Sequence, residues 1–155
     1  VGTLSAADVE RYEVSNFARR GHECVHNTGY WEDRPYMGLG PSAHGFYPDG
    51  RRYRNIADTT RYLSEGDPTE YVESPTRKQA AMDYVASSIR CRSGVATSHL
   101  EGQHGFDLSS RIVDLLAESR FVTRSPGRVC LTKEGFPIAD TVASRLVEGL
   151  RDLTG

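Results

Sequence analysis

Two short apolar runs flank a Ser-Pro-Gly-Arg turn near the end of the chain, in the sequence FVTRSPGRVCL (residues 121–131). The runs Phe121–Thr123 and Val129–Leu131 are rich in residues that favour strands, and the turn between them contains Pro126 and Gly127. Proline and glycine at these positions reverse the chain direction. The pattern predicts a two-stranded antiparallel ribbon.

Helical patterns surround this ribbon. Ser74 followed by Pro75 is a typical helix start, and apolar residues then recur at helical spacing until Gly94. Further helices are expected over residues 97–102, 107–119 and 132–150. The apolar face of the second of these is expected to bury Ile112, Leu115 and Leu116. Helix, short helix, helix, ribbon, helix is the element order of a winged-helix-like domain, here residues 74–155.

The first half of the chain differs in composition and is rich in glycine, aromatic and turn residues. A β-hairpin is predicted over residues 45–54, around the turn Pro48-Asp49-Gly50. Short strands are predicted over residues 9–14 and 36–40, with a polar loop over residues 15–27. Glycine at alternate positions 38 and 40 would let another backbone or a ligand approach closely. With a boundary near residues 66–73, the chain is predicted to be an α+β protein with domains over residues 1–66 and 74–155.

Length, charge and cysteine content exclude several classes of protein. The chain has 155 residues, fewer than the roughly 250 of a complete (β/α) barrel enzyme. Its opening, Val1 to Leu4, has neither an initiator Met nor a leader pattern, so we expect a piece of a longer protein. No apolar run is long enough for a membrane span. Three scattered cysteines, without a C-x-x-C pair, favour a reducing cytoplasm and cannot by themselves hold an iron–sulfur cluster.

A winged-helix-like fold raises the possibility of nucleic-acid binding. The net charge of −2 gives no general attraction to phosphate. The helix over residues 107–119 would enter a groove, yet it carries Asp107, Asp114 and Glu118 against one Arg111. We therefore expect no nucleic-acid partner. A nucleic-acid-binding module stays the alternative, because the ribbon is basic.

Histidines suggest a second alternative, a small zinc site. Potential ligands alternate at His22, Cys24 and His26. In an extended conformation they would point to one side, with His44 as a fourth ligand; otherwise the segment is a solvated loop. His99 and His104 are five residues apart and should leave different faces of a helix, so they are not predicted to form a pair.

Several motifs in the first half occur together and in order. They are YEVSNFAR (residues 12–19), GHEC (21–24), HNTGYW (26–31) and YMGLGPSAH (36–44), with LTKEG (131–135) far downstream. Together they resemble the C-terminal part of the oxygen-independent coproporphyrinogen III oxidase-like radical SAM proteins. Within that family the HNTGYW element resembles the haem chaperone branch.

The resemblance implies a longer parent protein of tetrapyrrole metabolism. The parent would bind an iron–sulfur cluster and S-adenosylmethionine in a partial (β/α) barrel that precedes Val1, and the haem chaperone branch implies haem as a further ligand. This chain would hold the last strand or strands of that barrel, followed by the helical domain. It lacks the cluster motif, so we expect it to bind no cofactor alone and to be inactive alone. Its partners would be the missing N-terminal barrel region and a tetrapyrrole.

The resemblance also implies site residues. Haem contacts are expected from His26, Asn27, Tyr30 and Trp31, with the His26 imidazole as an axial ligand. A cofactor-pocket loop is expected from Gly38, Gly40, Ser42 and His44. Neither set includes a catalytic residue.

Overall fold

The computed structural model describes Leu4 and residues 6–153. The strands within this part of the chain are β1 Glu10–Arg11, β2 Phe17–Ala18, β3 His44–Phe46, β4 Arg52–Asn55, β5 Thr69–Glu73, β6 Val95–Ala96, β7 Phe106–Leu108, β8 Val122–Ser125, β9 Arg128–Leu131 and β10 Leu150–Asp152. The α-helices are α1 Val25–Trp31, α2 Thr59–Ser64, α3 Arg77–Ser88, α4 Thr97–His99, α5 Ser110–Glu118 and α6 Ala139–Glu148. A π-helical turn, Leu100–His104, continues α4, and a 3₁₀ turn, Phe136–Ile138, leads into α6. The architecture is mixed α and β.

The first half is organised around a three-stranded antiparallel sheet in the order β3-β4-β5. The predicted hairpin is confirmed as β3 and β4, with Gly45 opposite Tyr53 in the register. Strand β5 was not expected: residues 69–73 lie in the stretch predicted to separate two domains, yet they pair with β4. They were easily missed because four of the five residues are exposed and give no alternation of apolar residues. The division into two domains stays a prediction.

Three local predictions in the first half need correction. The strand expected over residues 36–40 is reduced to a single bridge between Tyr36 and Phe46, because the glycines that follow turn away into a loop. The strand over residues 9–14 shortens to β1. The polar loop over residues 15–27 instead contains β2 and the start of α1. Helix α1 buries no side chain completely, so it has no apolar stripe that periodicity could detect.

The second half encloses the main hydrophobic core. Val85 and Ile89, at the end of α3, Leu100 and Leu146 are completely buried. Helix α3 packs against α6, and β6-β9-β8 forms a second three-stranded antiparallel sheet. The predicted ribbon is confirmed as β8 and β9. The helix start lies at Thr76, where Thr76 and Gln79 form a reciprocal capping box, rather than at Ser74.

The helix predicted over residues 107–119 is shorter than expected. Residues 106–108 form β7, which pairs with β10 at the other end of the chain, and α5 begins only at Ser110. Helix α5 buries Val113, while Leu115 is 51% exposed. The expectation that Leu115 is buried was therefore wrong, because the core faces a different side of this helix. Leu150, predicted on the last helix, belongs to β10.

Contacts join the two halves on one side of α3. The Ser88 hydroxyl donates a hydrogen bond of 3.0 Å to the carbonyl oxygen of Trp31, at the end of α1. Glu13 and Cys91 form an isolated antiparallel bridge, and the Arg92 N–H donates to the Tyr12 carbonyl over 2.8 Å. The end of α1 is thereby held beside the helical half.

Candidate functional site

One exposed face of α1 carries His26 and Tyr30, four residues apart and therefore neighbours on the helix. The Tyr30 hydroxyl and the His26 Nε2 are 2.9 Å apart and share a hydrogen bond. Their rings meet edge to face with centroids 4.8 Å apart. His26 is exposed, and Tyr30 is 42% exposed. An imidazole and a phenol are thus presented to solvent as one unit.

The other two predicted haem residues lie on a neighbouring face of α1, about 100° further round the helix. Asn27 is half-buried, and its amide donates to the Tyr12 hydroxyl over 3.5 Å. Trp31 is half-buried, with its indole N–H enclosed and lacking a hydrogen-bond partner. The structure therefore places His26 and Tyr30 on the surface and turns Asn27 and Trp31 towards the protein.

A row of aromatic rings continues from Tyr30. The Tyr30 and Tyr36 centroids are 4.4 Å apart, and those of Tyr36 and Phe46 are 6.4 Å apart. The three rings line a cleft of about 270 Å³ that reaches the ion pair of Arg52 and Asp83, whose N···O distance is 2.9 Å. Burial, with smaller effects from neighbouring groups, raises the pKa of Tyr36 above its ordinary value. Tyr36 therefore stays a neutral phenol near neutral pH.

The predicted pocket loop is fixed from within by Asn55. The Asn55 side chain is almost fully buried and donates hydrogen bonds of 3.0 Å to both the Gly38 and the Gly40 carbonyl oxygens. Tyr53 and Tyr62 accept hydrogen bonds from the N–H groups of the same two glycines, over 2.9 Å and 3.1 Å. These side chains therefore hold the loop in one conformation.

The close approach of two backbone segments requires glycine at position 38. A Cβ atom at Gly38 would collide with the backbone carbonyl of His44, and would lie 3.1 Å from the Gly45 nitrogen. Gly40 has φ +99°, and Ser42 has φ 61°. The predicted close backbone contact at Gly38 is thus confirmed, with the chain's own His44 as the neighbour.

The zinc site considered as an alternative is not supported by the described residues. Cys24 is the residue before α1 and His26 is inside the helix, so the alternating extended conformation that would align His22, Cys24 and His26 is absent. Within the described residues, His22, Cys24, His26 and His44 do not form a metal-ligating cluster. All four are exposed.

A different cluster of potential ligands does form, and sequence reasoning missed it. Asp33 lies 3.4 Å from His104 and 4.0 Å from His99, measured from Asp33 Oδ2 to each Nε2. The prediction that His99 and His104 leave different faces was wrong, because residues 100–104 form a π-helical turn. Residues five apart lie closer in angle on such a turn than on an α-helix, where about 140° separates them. Burial and then the neighbouring His104 lower the pKa of His99, with a smaller opposing effect from Asp33.

Several curated proteins are similar in sequence to this chain over most of its length. The chain is 41% identical over 148 residues to the Heme chaperone HemW of Mycobacterium tuberculosis, covering 93% of this chain and 36% of that protein. It is 48% identical over 175 residues to HemW of Synechocystis, covering 96% and 42%. It is 29% identical over 139 residues to HemW of Bacillus subtilis, covering 85% and 36%. No protein-family model matches the chain.

The chain resembles the C-terminal part of HemW-like radical SAM proteins. A solved structure of coproporphyrinogen III oxidase (HemN) from Escherichia coli, described as a radical SAM enzyme, matches with a TM-score of 0.67. That match covers 94% of this chain and 38% of that chain at 16% identity, so it shows a shared fold. The HemW-like chain spans about two fifths of the length of the relatives that it matches. In the described part of the chain, no helix has the length and apolar character needed to cross a membrane.

Proposed function

We propose that this chain is the C-terminal part of a HemW-like radical SAM protein of tetrapyrrole metabolism, and that its His26–Tyr30 face borders the tetrapyrrole. The observation that carries this proposal is an exposed imidazole beside an aromatic row. His26 and Tyr30 are presented to solvent, and Tyr36 and Phe46 extend the row into a cleft. A porphyrin needs an axial ligand and flat apolar contacts, and this face offers both.

The His26 imidazole would be the axial ligand in this arrangement. Haem supplies a metal with open axial positions when bound. Nε2 of His26 now shares a hydrogen bond with Tyr30, so iron ligation through that nitrogen requires the hydrogen bond to be released. The phenol of Tyr30 would then lie against the ring edge. Asn27 and Trp31 would keep α1 in position from its protein-facing side. The Asn27 amide donates to the Tyr12 hydroxyl, and the Trp31 carbonyl accepts from Ser88 of α3.

The missing barrel region would cover the loop from Gly38 to His44. Asn55 holds this loop rigidly, yet Met37 and Leu39 at its tip are 75% and 78% exposed. Two exposed apolar side chains on a fixed loop suit contact with another part of the same protein. We propose that Gly38, Gly40, Ser42 and His44 form the edge of the pocket there.

The iron–sulfur cluster and S-adenosylmethionine of the parent would belong to that preceding region. The cysteines of this chain do not fit a cluster: Cys24 is exposed, Cys91 is buried, and the described residues hold no group of thiols near one another. The chain alone should therefore be inactive. Three unpaired cysteines support a cytoplasmic location.

We further propose that residues 74–155 are a winged-helix-like packing domain. Support comes from the order α3, α5, β8-β9 ribbon, α6, and from the wide contact between α3 and α6. Arg124 on the ribbon pairs with Asp114 of α5 over 2.7 Å, which reduces the positive charge available to phosphate. This pairing favours the absence of a nucleic-acid partner.

A haem titration tests the proposal. Although the resemblance implies no cofactor bound by the chain alone, the exposed face is present in it, so we expect the chain to shift and sharpen the Soret band of added haem, and His26→Ala to weaken binding by about tenfold or more. His22→Ala is the matched control, because His22 is an exposed histidine just before α1, and it should bind within about twofold of wild type. Tyr30→Phe removes the hydrogen bond that competes for Nε2, so it should tighten binding by up to about tenfold.

The outcomes separate ligation from non-specific association. Equal loss in His26→Ala and His22→Ala, or no loss in either, would contradict ligation by His26. A Soret band that stays as in free haem when the wild-type chain is added would also count against a haem-bordering face.

A further inference from the structure

Three potential metal ligands from distant parts of the sequence converge beside α3. One ligand atom from each of Asp33, His99 and His104 lies within 4.8 Å of the other two. Ligands about 2 Å from a tetrahedral zinc ion lie about 3.3 Å from one another. The 3.4 Å between His104 Nε2 and Asp33 Oδ2 already matches that spacing, and the 4.0 Å to His99 Nε2 is close to it.

Local backbone geometry creates this convergence. Asp33 follows α1 with φ 60°, in the left-handed region that aspartate tolerates better than most residues. His99 ends α4, and the π-helical turn that follows brings His104 round to the same side. Gly105, with φ 70°, then ends the turn. Single π-helical turns of this kind occur frequently at functional sites.

Each of the two imidazoles has a buried nitrogen atom that makes no hydrogen bond. His104 is 7% exposed, and the Nε2 atoms of both His99 and His104 are buried without a hydrogen bond. Buried polar atoms are nearly always satisfied in folded proteins, and exceptions often indicate an ion or water. Here two such atoms face the same carboxylate oxygen.

Tyr84 of α3 fixes the orientation of the imidazoles. Its ring is stacked on His104 with centroids 5.4 Å apart, and lies 4.6 Å from His99. Its hydroxyl is bound to the Ala96 backbone: it accepts from the Ala96 N–H over 3.1 Å and contacts the Ala96 carbonyl. Tyr84 is therefore a packing support for the two histidines rather than a further ligand.

We propose that Asp33, His99 and His104 bind one divalent transition-metal ion such as Zn²⁺. Two imidazoles and one carboxylate are a common donor set for such ions. All three side chains line one cleft of about 380 Å³, which leaves space for water or a small ligand in the remaining position. The ion would also join the end of α1 to the helical half. Asp33 also lines the cleft bordered by Tyr30 and Tyr36, so the two proposed sites are neighbours, but His26 is not one of the three ligands.

Zinc titration of the chelator-treated chain tests the site, with isothermal calorimetry and metal analysis as readouts. We expect one Zn²⁺ per chain, and a loss of affinity of about tenfold or more in His99→Gln and in Asp33→Asn. Asparagine tolerates the left-handed backbone at position 33, and His99 is partly exposed, so both variants should fold. His22→Gln is the control, since His22 is exposed and lies outside the cluster; its affinity should stay within about twofold of wild type.

A second measurement uses the unaltered chain. Zn²⁺ should shift the imidazole ring signals of His99 and His104 while leaving those of His22 in place, as read by NMR. Stoichiometric binding that survives in both cluster variants, binding lost in His22→Gln, no Zn²⁺ bound at all, or His99 and His104 ring signals that do not change with Zn²⁺ would each overturn the proposal.

Discussion

Replacement of Asn55 by alanine should destabilise the loop over residues 37–44. Asn55 is 3% exposed and its amide donates two hydrogen bonds, to the carbonyl oxygens of Gly38 and Gly40. Each hydrogen bond contributes about 0.5–1.5 kcal/mol net, so losing both should lower the free energy of unfolding by about 1–3 kcal/mol. The upper part of that range applies if the two carbonyls find no water, because buried unpaired acceptors are costly.

Urea unfolding measures this effect. The midpoint should fall with an unchanged slope, and limited proteolysis should begin near the exposed Met37 and Leu39. Asn16→Ala is the matched control, since Asn16 is an exposed asparagine and its loss should change the free energy of unfolding by less than about 0.5 kcal/mol. Equal midpoints for Asn55→Ala and Asn16→Ala, with no new cleavage near residue 37, would refute the reasoning.

Three other perturbations have expected outcomes. Gly38→Ala should lower the free energy of unfolding in urea by about 1–3 kcal/mol, because its Cβ meets the His44 backbone. Gly66→Ala, with open space around it, should be neutral or slightly stabilising. The same result for both variants would be inconsistent with the collision. Thr76→Ala removes the cap of α3 and should cost about 1 kcal/mol, and an unchanged thermal midpoint would show that the cap contributes nothing. Burial, then nearby carboxylates, raises the pKa of the Cys91 thiol from 9.0 to about 12. The folded state therefore favours the protonated thiol, so this contribution to stability is full below pH 9 and is lost as pH rises towards 12. Cys91→Ala should flatten that alkaline loss by about 1 kcal/mol near pH 10, and parallel stability curves for variant and wild type would contradict it.

Elements specified by neighbouring residues were predictable from the sequence. The hairpin β3-β4 and the ribbon β8-β9 both form around turns whose proline and glycine are local signals. Strand β5 and helix α1 were missed for the opposite reason. Their side chains are mostly exposed, so the contacts that hold them come from β4 and α3 rather than from their own patterns.

The candidate sites show the same division. His26 and Tyr30 could be singled out because they belong to a compact motif, although their contact on α1 was not predicted. The group of Asp33, His99 and His104 could not, because it depends on a π-helical turn and a left-handed aspartate. Neither feature follows from α-helical spacing. A histidine pair five residues apart near a glycine is the one signal that sequence reasoning could have used.

The pairing of β7 with β10 has a consequence for how the protein acquires its structure during translation. Phe106 is matched with Asp152, so this small sheet joins residues that leave the ribosome far apart in time. The N–H of Leu153 also donates to the Gly105 carbonyl, directly after the π-helical turn. Until those last residues emerge, the edge of β7 is unpaired and open to misassembly with another nascent chain. A chain that ends just before residue 150 should therefore aggregate rather than fold stably.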